Sequence, residues 1–197
     1  MNQKTLETNR LVIRPFILDD VPVIHRILDQ TFGAGDKVDD TTALQERHSW
    51  VQWSILNQEW LPRLDQPPYG DRAIVLRATR ELIGSVGYVP LLDVYQQIPE
   101  LANSTSQRGY TTTEFGLFWV IDPHHQRQGH ATEAAQAMIE YAFKQLRLKR
   151  VIATTEYTNV ASQGVMRKSG MKITRNPLPH PVWLQIVGII ENGGKVE

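Results

Sequence analysis

The sequence predicts an α+β fold in one domain spanning residues 1–197. Three observations carry that prediction. Short apolar runs of strand character are interspersed with longer segments whose apolar residues recur at helical spacing. Two strand-like runs, Arg72–Arg77 and Leu82–Val89, are separated by a short turn at Thr79-Arg80-Glu81, the pattern of a hairpin. A chain of 197 residues can bury a real core, and no internal repeat or low-complexity tract divides it.

Leu6 to Arg14, with Leu11-Val12-Ile13 at its centre, reads as the first strand. Asp19 and Asp20 suit a helix start, and Val21, Ile24, Ile27 and Leu28 form a helical stripe to about Thr31. Gly33 to Thr42 reads as a loop. A second helix over Ala43 to Trp60 carries Trp50, Trp53, Leu56 and Trp60 near one face, most simply a core stripe. Pro62 to Asp71 is a proline-rich loop before the hairpin. Pro90 to Arg108 is polar and longer than most loops in a compact domain, the mark of a functional or mobile segment.

Tyr110 to Ile121 resumes strand character. The helix that follows runs to about Leu146, with Ala131, Ala134, Ala135, Met138, Ala142 and Leu146 on its apolar face and Glu133, Gln136, Glu140 and Lys144 outside it. Val151 to Glu156 is a strand. Asn159 caps a short helix that ends near Ser169, with Gly170 at a left-handed stop. Met171–Thr174 and Val182–Ile190 are the last strands. The second of them can pair within the sheet or across a homodimer.

Composition removes several classes of function. Lys plus Arg equal Asp plus Glu at 21 each, without the basic excess of a general nucleic-acid binder. The absence of cysteine excludes disulfides, thiolate catalysis and cysteine-rich zinc sites. The adjacent His124 and His125 project differently, and His25, His48 and His180 show no partner spacing, so no metal site is expected. No apolar run reaches the length of a membrane span, and Met1–Arg14 lacks the apolar core of a signal peptide. A cytoplasmic protein is the default expectation.

The most informative stretch is Gln126-Arg127-Gln128-Gly129-His130-Ala131. It follows a strand and a Pro-containing turn, Asp122-Pro123, and opens the strongest helix. A small-residue turn feeding a helix gathers unpaired backbone N–H groups at the positive end of the helix dipole, a surface suited to phosphate. It is neither a Walker loop nor a dinucleotide fingerprint, because the Gly-Lys-Ser/Thr and the three-glycine spacing are both missing.

Gln126-x-x-Gly129-x-Ala131 resembles the Gln/Arg-x-x-Gly-x-Gly/Ala signature of the GNAT superfamily of N-acetyltransferases. Thr132-Glu133-Ala134, the opening Thr8-Asn9-Arg10-Leu11-Val12-Ile13-Arg14-Pro15, Asn159-x-x-Ser162 and Lys168-Ser169-Gly170-Met171 are similar to the ribosomal-protein N-terminal (Rim-type) branch. The resemblance covers nearly the whole chain in order. It implies a single GNAT-like domain: a mixed, mostly antiparallel central sheet, helices on both faces, and a splayed strand pair formed by Tyr110–Ile121 and Val151–Glu156.

It also implies acetyl-CoA as co-substrate, with no metal. Its pyrophosphate would lie on the backbone of Gln126, Arg127, Gln128, Gly129, His130, Ala131 and Thr132, with Arg127, Arg167 and Lys168 adding charge. Acetyl transfer needs a neutral amine and a proton for the departing thiolate. By resemblance Glu114 accepts the amine proton, often through water; otherwise it is a strand-edge glutamate. Ser162 matches the position that protonates the thiolate, and Asn159 binds the pantetheine arm or caps its helix. Many relatives use a tyrosine where this chain has Met166, which shifts weight to Ser162 or Tyr157.

The expected activity is direct acetyl transfer in a ternary complex to a primary amine, either a protein N-terminus or a small molecule. Neither nucleic acid nor membrane is an expected partner. The loops Gly33–Thr42, Pro62–Asp71 and Pro90–Arg108 would shape the acceptor pocket, or the tryptophan helix would line it. The alternative is a non-catalytic acyl-CoA-binding or regulatory module on the same fold.

Overall fold

A computed structural model describes residues 5–33, 40–92, 95–102 and 113–193. Their contacts group into two compact units, one of residues 1–88 and 118–138, the other of 89–117 and 139–197. The fold class is α+β, as expected from the element order, with the mixed and mostly antiparallel pattern of strands that the resemblance implies.

In the first unit, β1 (Leu6–Glu7), β2 (Leu11–Pro15), β3 (Asp71–Leu76) and β4 (Leu82–Leu91) pair antiparallel in that order. The expected hairpin is β3–β4. Adjacent residues of these strands are buried on opposite faces: Val12, Ala73, Val75 and Leu82 on one, Leu11, Ile13, Ile74 and Ile83 on the other. Burial on both faces explains why the strands read as apolar runs rather than strict alternations.

Helices α1 (Val21–Phe32) and α2 (Asp40–Trp60) supply the core of the first unit. Ile24, Ile27, Leu28 and Val51 pack there with Phe16, Val75 and Val120. The Asp20 carboxylate leaves α1 uncapped. It accepts from Arg14 at 2.7 and 2.9 Å and from the Ile17 N–H at 2.9 Å, fixing the turn before the helix.

The tryptophan stripe departs from the core reading. Trp50 is half-buried, edge-on to Phe16, but Trp53 and Trp60 are 43% and 53% exposed. Val51, Ser54 and Gln58 face inward instead. Thr41 and Thr42, expected in a loop, already belong to α2, whereas residues 34–39 of that loop lie outside the described residues.

In the second unit, β5 (Glu114–Ile121) meets β6 (Arg150–Thr155) in parallel at Gly116↔Ile152. The last strand, β8 (Ile186–Glu191), pairs antiparallel with β6 from Arg150↔Glu191 to Thr155↔Ile186. On its other side it pairs with β7 (Lys172–Arg175). Both edges of β8 are therefore used within the chain, which decides its pairing in favour of the sheet. Helix α3 (His130–Lys144) runs from one unit into the other, and α4 (Val160–Lys168) belongs to the second.

The stretch Pro90–Arg108, expected to be a long loop, is partly structure. Pro90 and Leu91 complete β4, and Tyr95, Ile98 and Leu101 enter the core of the second unit with Ile152, Leu184, Val187 and Ile189. Residues 93–94 and 103–112 lie outside the described residues, as do Tyr110–Thr112 of the expected strand. The three-residue spacing of Tyr95, Ile98 and Leu101 was the signal for this anchor.

Candidate active site

The site in the first unit is built from the end of β5 downward. Asp122 closes the strand: its backbone N–H bonds Ile83 at 2.8 Å, and its carboxylate accepts from the His124 N–H at 2.9 Å and from Arg26 at 2.8 Å. Burial pushes this carboxyl up, but the bonds from His124 and Arg26 outweigh it and hold it at about 2. A single 3-10 turn, Pro123–His125, leads into the exposed residues 126–129.

Three side chains brace the turn from within. Gln126 Nε2 donates to the Ile121 carbonyl at 3.0 Å, Gln128 Nε2 to the His124 carbonyl at 3.3 Å, and the buried His130 ring lies 3.2 Å from the His125 carbonyl. Burial lowers the His130 pKa, which disfavours the charged ring. Arg127 and Gly129 adopt left-handed backbone angles, φ 59° and 84°. The exposed Arg127 side chain has no hydrogen bond or ion pair among the described residues.

The helix itself starts open. Its first backbone bond runs from the Glu133 N–H to the Gly129 carbonyl at 3.0 Å. The N–H groups of Gly129, His130, Ala131 and Thr132 precede that bond and have no helical acceptor. Four donors at the positive end of a 15-residue helix fit a pyrophosphate.

Glu133, read from the sequence as lying outside the apolar stripe, is tied to the turn between β1 and β2. It accepts from the Thr8 hydroxyl at 2.6 Å, from the Arg10 N–H at 2.9 Å and from Arg10 Nε at 2.7 Å. Arg10 Nη1 continues to the Gln128 carbonyl at 2.9 Å. Nothing in helical periodicity announces these contacts, because the partners are more than 100 residues apart in sequence.

In the second unit Glu114 is 3% exposed, not a solvent-facing strand edge. Both its oxygens engage Arg150, through Nε at 2.7 Å and through Nη2. That pairing, against the opposing effect of burial, raises the Arg150 pKa above its usual value. Asn159 caps α4: its Oδ1 accepts the Ser162 N–H at 3.0 Å. Ser162 is half-buried, in the first turn of that helix.

Of the two residues considered for protonating the thiolate, Tyr157 already donates its hydroxyl to the Asn176 carbonyl at 3.0 Å, and Arg175 stacks 4.1 Å from its ring. Met166 is fully buried. A Cβ on Gly188 would come within 3.1 Å of its side chain, so position 166 belongs to the core. Arg167 donates to Gln163 at 3.4 Å.

His25, which showed no partner in the sequence, lies 3.2 Å from Asp29 one helical turn on. An open apolar groove of about 490 Å³ lies on the first unit, lined by Leu18, Val21, Pro22, Leu44 and His48 among others. No helix among the described residues is long and apolar enough to cross a membrane.

Residues 10–172 match the family model described as the acetyltransferase (GNAT) domain. The chain belongs to the GNAT acetyltransferase family. Members of this family use acetyl-CoA as acetyl donor. Uncharacterized N-acetyltransferase YnaD of Bacillus subtilis (strain 168) is 48% identical over 64 residues, 32% of this chain and 36% of that protein. Uncharacterized N-acetyltransferase YoaA of the same organism is 27% identical over 85% of this chain and 82% of its own. The crystal structure of ribosomal-protein-S5-alanine acetyltransferase from Vibrio fischeri superposes with a TM-score of 0.65 at 17% identity, covering 96% of this chain and 97% of that one. The resemblance to the Rim-type branch thus extends to the fold.

Proposed function

We propose that this protein moves the acetyl group of acetyl-CoA directly to a primary amine in a ternary complex. The observation that carries the reading is the start of α3: N–H groups of Gly129–Thr132 without helical acceptors, on a turn whose Gln126 and Gln128 side chains bond the preceding backbone. The backbone from Gln126 to Thr132 would hold the pyrophosphate. Acetyl-CoA supplies the activated thioester, and the chain binds it, orients it and manages two protons.

Ser162 is our choice for the proton given to the thiolate, since the Tyr157 hydroxyl is already engaged. Asn159 acts first as the cap that sets the start of α4. Glu114 is the carboxylate suggested by resemblance for the amine proton. With both oxygens on Arg150, it accepts that proton only through a relay that loosens this pair. The acceptor is a protein N-terminus or a small amine.

Incubation with acetyl-CoA and a panel of peptides and amines, read by mass shift and thiol release, tests the proposal. A gain of one acetyl group on a panel member is expected. Tight CoA binding without turnover on any acceptor would instead establish the non-catalytic module. Ser162→Ala is expected to lower kcat while leaving the affinity for CoA unchanged. An unaltered kcat would remove Ser162 from the mechanism.

A further inference from the structure

The contacts of Arg10 bear on how the anion-binding turn is held. Gln128 sits between two residues in left-handed conformations, Arg127 at φ 59° and Gly129 at φ 84°. A trans peptide places its C=O and the next N–H on opposite sides. The Gln128 carbonyl is held by Arg10 Nη1 at 2.9 Å. The Gly129 N–H is therefore aimed away from Arg10. Were this peptide to flip, a carbonyl oxygen would replace a donor in the anion site.

Arg10 is itself fixed. Its Nε and its backbone N–H both donate to Glu133, which also accepts from Thr8. Glu133 lies in the first turn of α3, where a free carboxylate would compete with a bound anion for the helix end. Burial raises its pKa, but the bonds from Thr8 and Arg10 prevail and hold it below the usual carboxylate value. Its charge is matched by Arg10. Arg10 Nη2 also lies 3.3 Å from where a Cβ on Gly129 would stand, so the guanidinium packs directly against the turn.

We propose that Arg10, locked by Glu133 and Thr8, is a positioning residue for the donor's pyrophosphate: it orients the Gln128–Gly129 peptide so that the turn presents donors to the phosphates. The inference rests on the acetyl-CoA reading above. It assigns to the turn between β1 and β2 and to the first turn of α3 a task in donor binding carried out without contact to the donor.

The test is calorimetric titration of CoA into the wild-type protein and into Arg10→Met, Arg10→Lys and Glu133→Gln, with thermal melts to establish folding. The pyrophosphate and 3′-phosphate ³¹P signals of bound CoA are compared alongside. Arg10→Met is expected to weaken CoA about tenfold or more, the scale of a lost charge-assisted bond. Lys lacks the planar fork needed to reach both Glu133 and Gln128, so Arg10→Lys is expected to restore little of it. The bound pyrophosphate signals should move in these variants.

In the double variant Arg10→Met/Glu133→Gln the loss should not exceed that of Arg10→Met alone. Folded Arg10 variants with wild-type affinity and unmoved pyrophosphate signals would overturn the proposal, as would affinity fully restored by lysine. If Arg10→Met does not fold, Arg10→Lys and Glu133→Gln decide by the same two readouts. Failure of the wild-type protein to bind CoA would sink the acetyl-CoA reading itself, an outcome separable from unaffected binding by the variants.

Discussion

Helices α3 and α4 begin in opposite ways. At α4 a side chain completes the first turn, Asn159 Oδ1 accepting from the Ser162 N–H. At α3 the residue before the helix is Gly129, which has no side chain to do so, while the polar side chains around it bond the strand end and the preceding turn instead. Both starts satisfy the rule that a helix leaves its first amides without internal partners. The contrast separates a helix finished by its own sequence from one left open, where the anion of the proposal would sit, and it makes capping a criterion for choosing between structural and binding roles.

The sharpest way to break the comparison is Gly129→Glu. A carboxylate would enter the anion site, at a φ of 84° that side chains rarely adopt, and CoA affinity should fall by about a hundredfold or more. Calorimetry on folded protein showing unchanged affinity would remove the distinction between the two helix starts. Next in size is Arg150→Met, which leaves the buried Glu114 carboxylate without its guanidinium. A loss of about 3 kcal/mol is expected in chemical denaturation. A loss near zero would show that the Glu114–Arg150 pair contributes little to stability.

Asp71 sharpens the comparison from another side, since one of its oxygens is bonded by Trp50 at 3.2 Å while the other is buried and bare. Burial, opposed by the Trp50 bond, pushes its carboxyl up to about 6. A carboxyl raised above its unfolded value of 3.8 binds its proton more tightly when folded. Stability should therefore fall as pH rises from about 4 to about 6, by up to about 3 kcal/mol. Asp71→Asn should remove that slope and be more stable than wild type at pH 8; an unchanged pH dependence of the melting temperature would refute it. The smallest effect belongs to Asn159→Ala, a lost cap of about 1 kcal/mol. If that variant weakens CoA binding more than it lowers stability, α4 joins α3 as a ligand-binding start.

Much of this was legible in the sequence, for reasons that differ by element. The hairpin and the α4 cap follow from local chemistry, a short turn and an Asn three residues before a serine, whereas the single strand read over Leu6–Arg14 is two, β1 and β2, folded back on each other at Thr8–Arg10. The turn at Gln126–Thr132 could be read because its requirement is for small residues at two fixed places. The Thr8–Arg10–Glu133 clamp and the Glu114–Arg150 pair were hidden, because each joins side chains that only the tertiary fold brings together. Trp53 and Trp60 misled because size was taken as a sign of burial, whereas the buried face of α2 uses Val51, Ser54 and Gln58. Tyr95, Ile98 and Leu101 went unread because the polar residues around them outnumber three anchors.

The placement of β8 between β6 and β7 has a consequence for synthesis. β6 and β7 leave the ribosome first, joined by α4, yet neither finds its antiparallel neighbour until β8 has been made. The second unit therefore closes by long-range pairing only once β8 has emerged, a topology that slows folding relative to one built from sequential hairpins. Its nascent strands carry exposed ladder edges during that interval, when chaperone engagement is most useful.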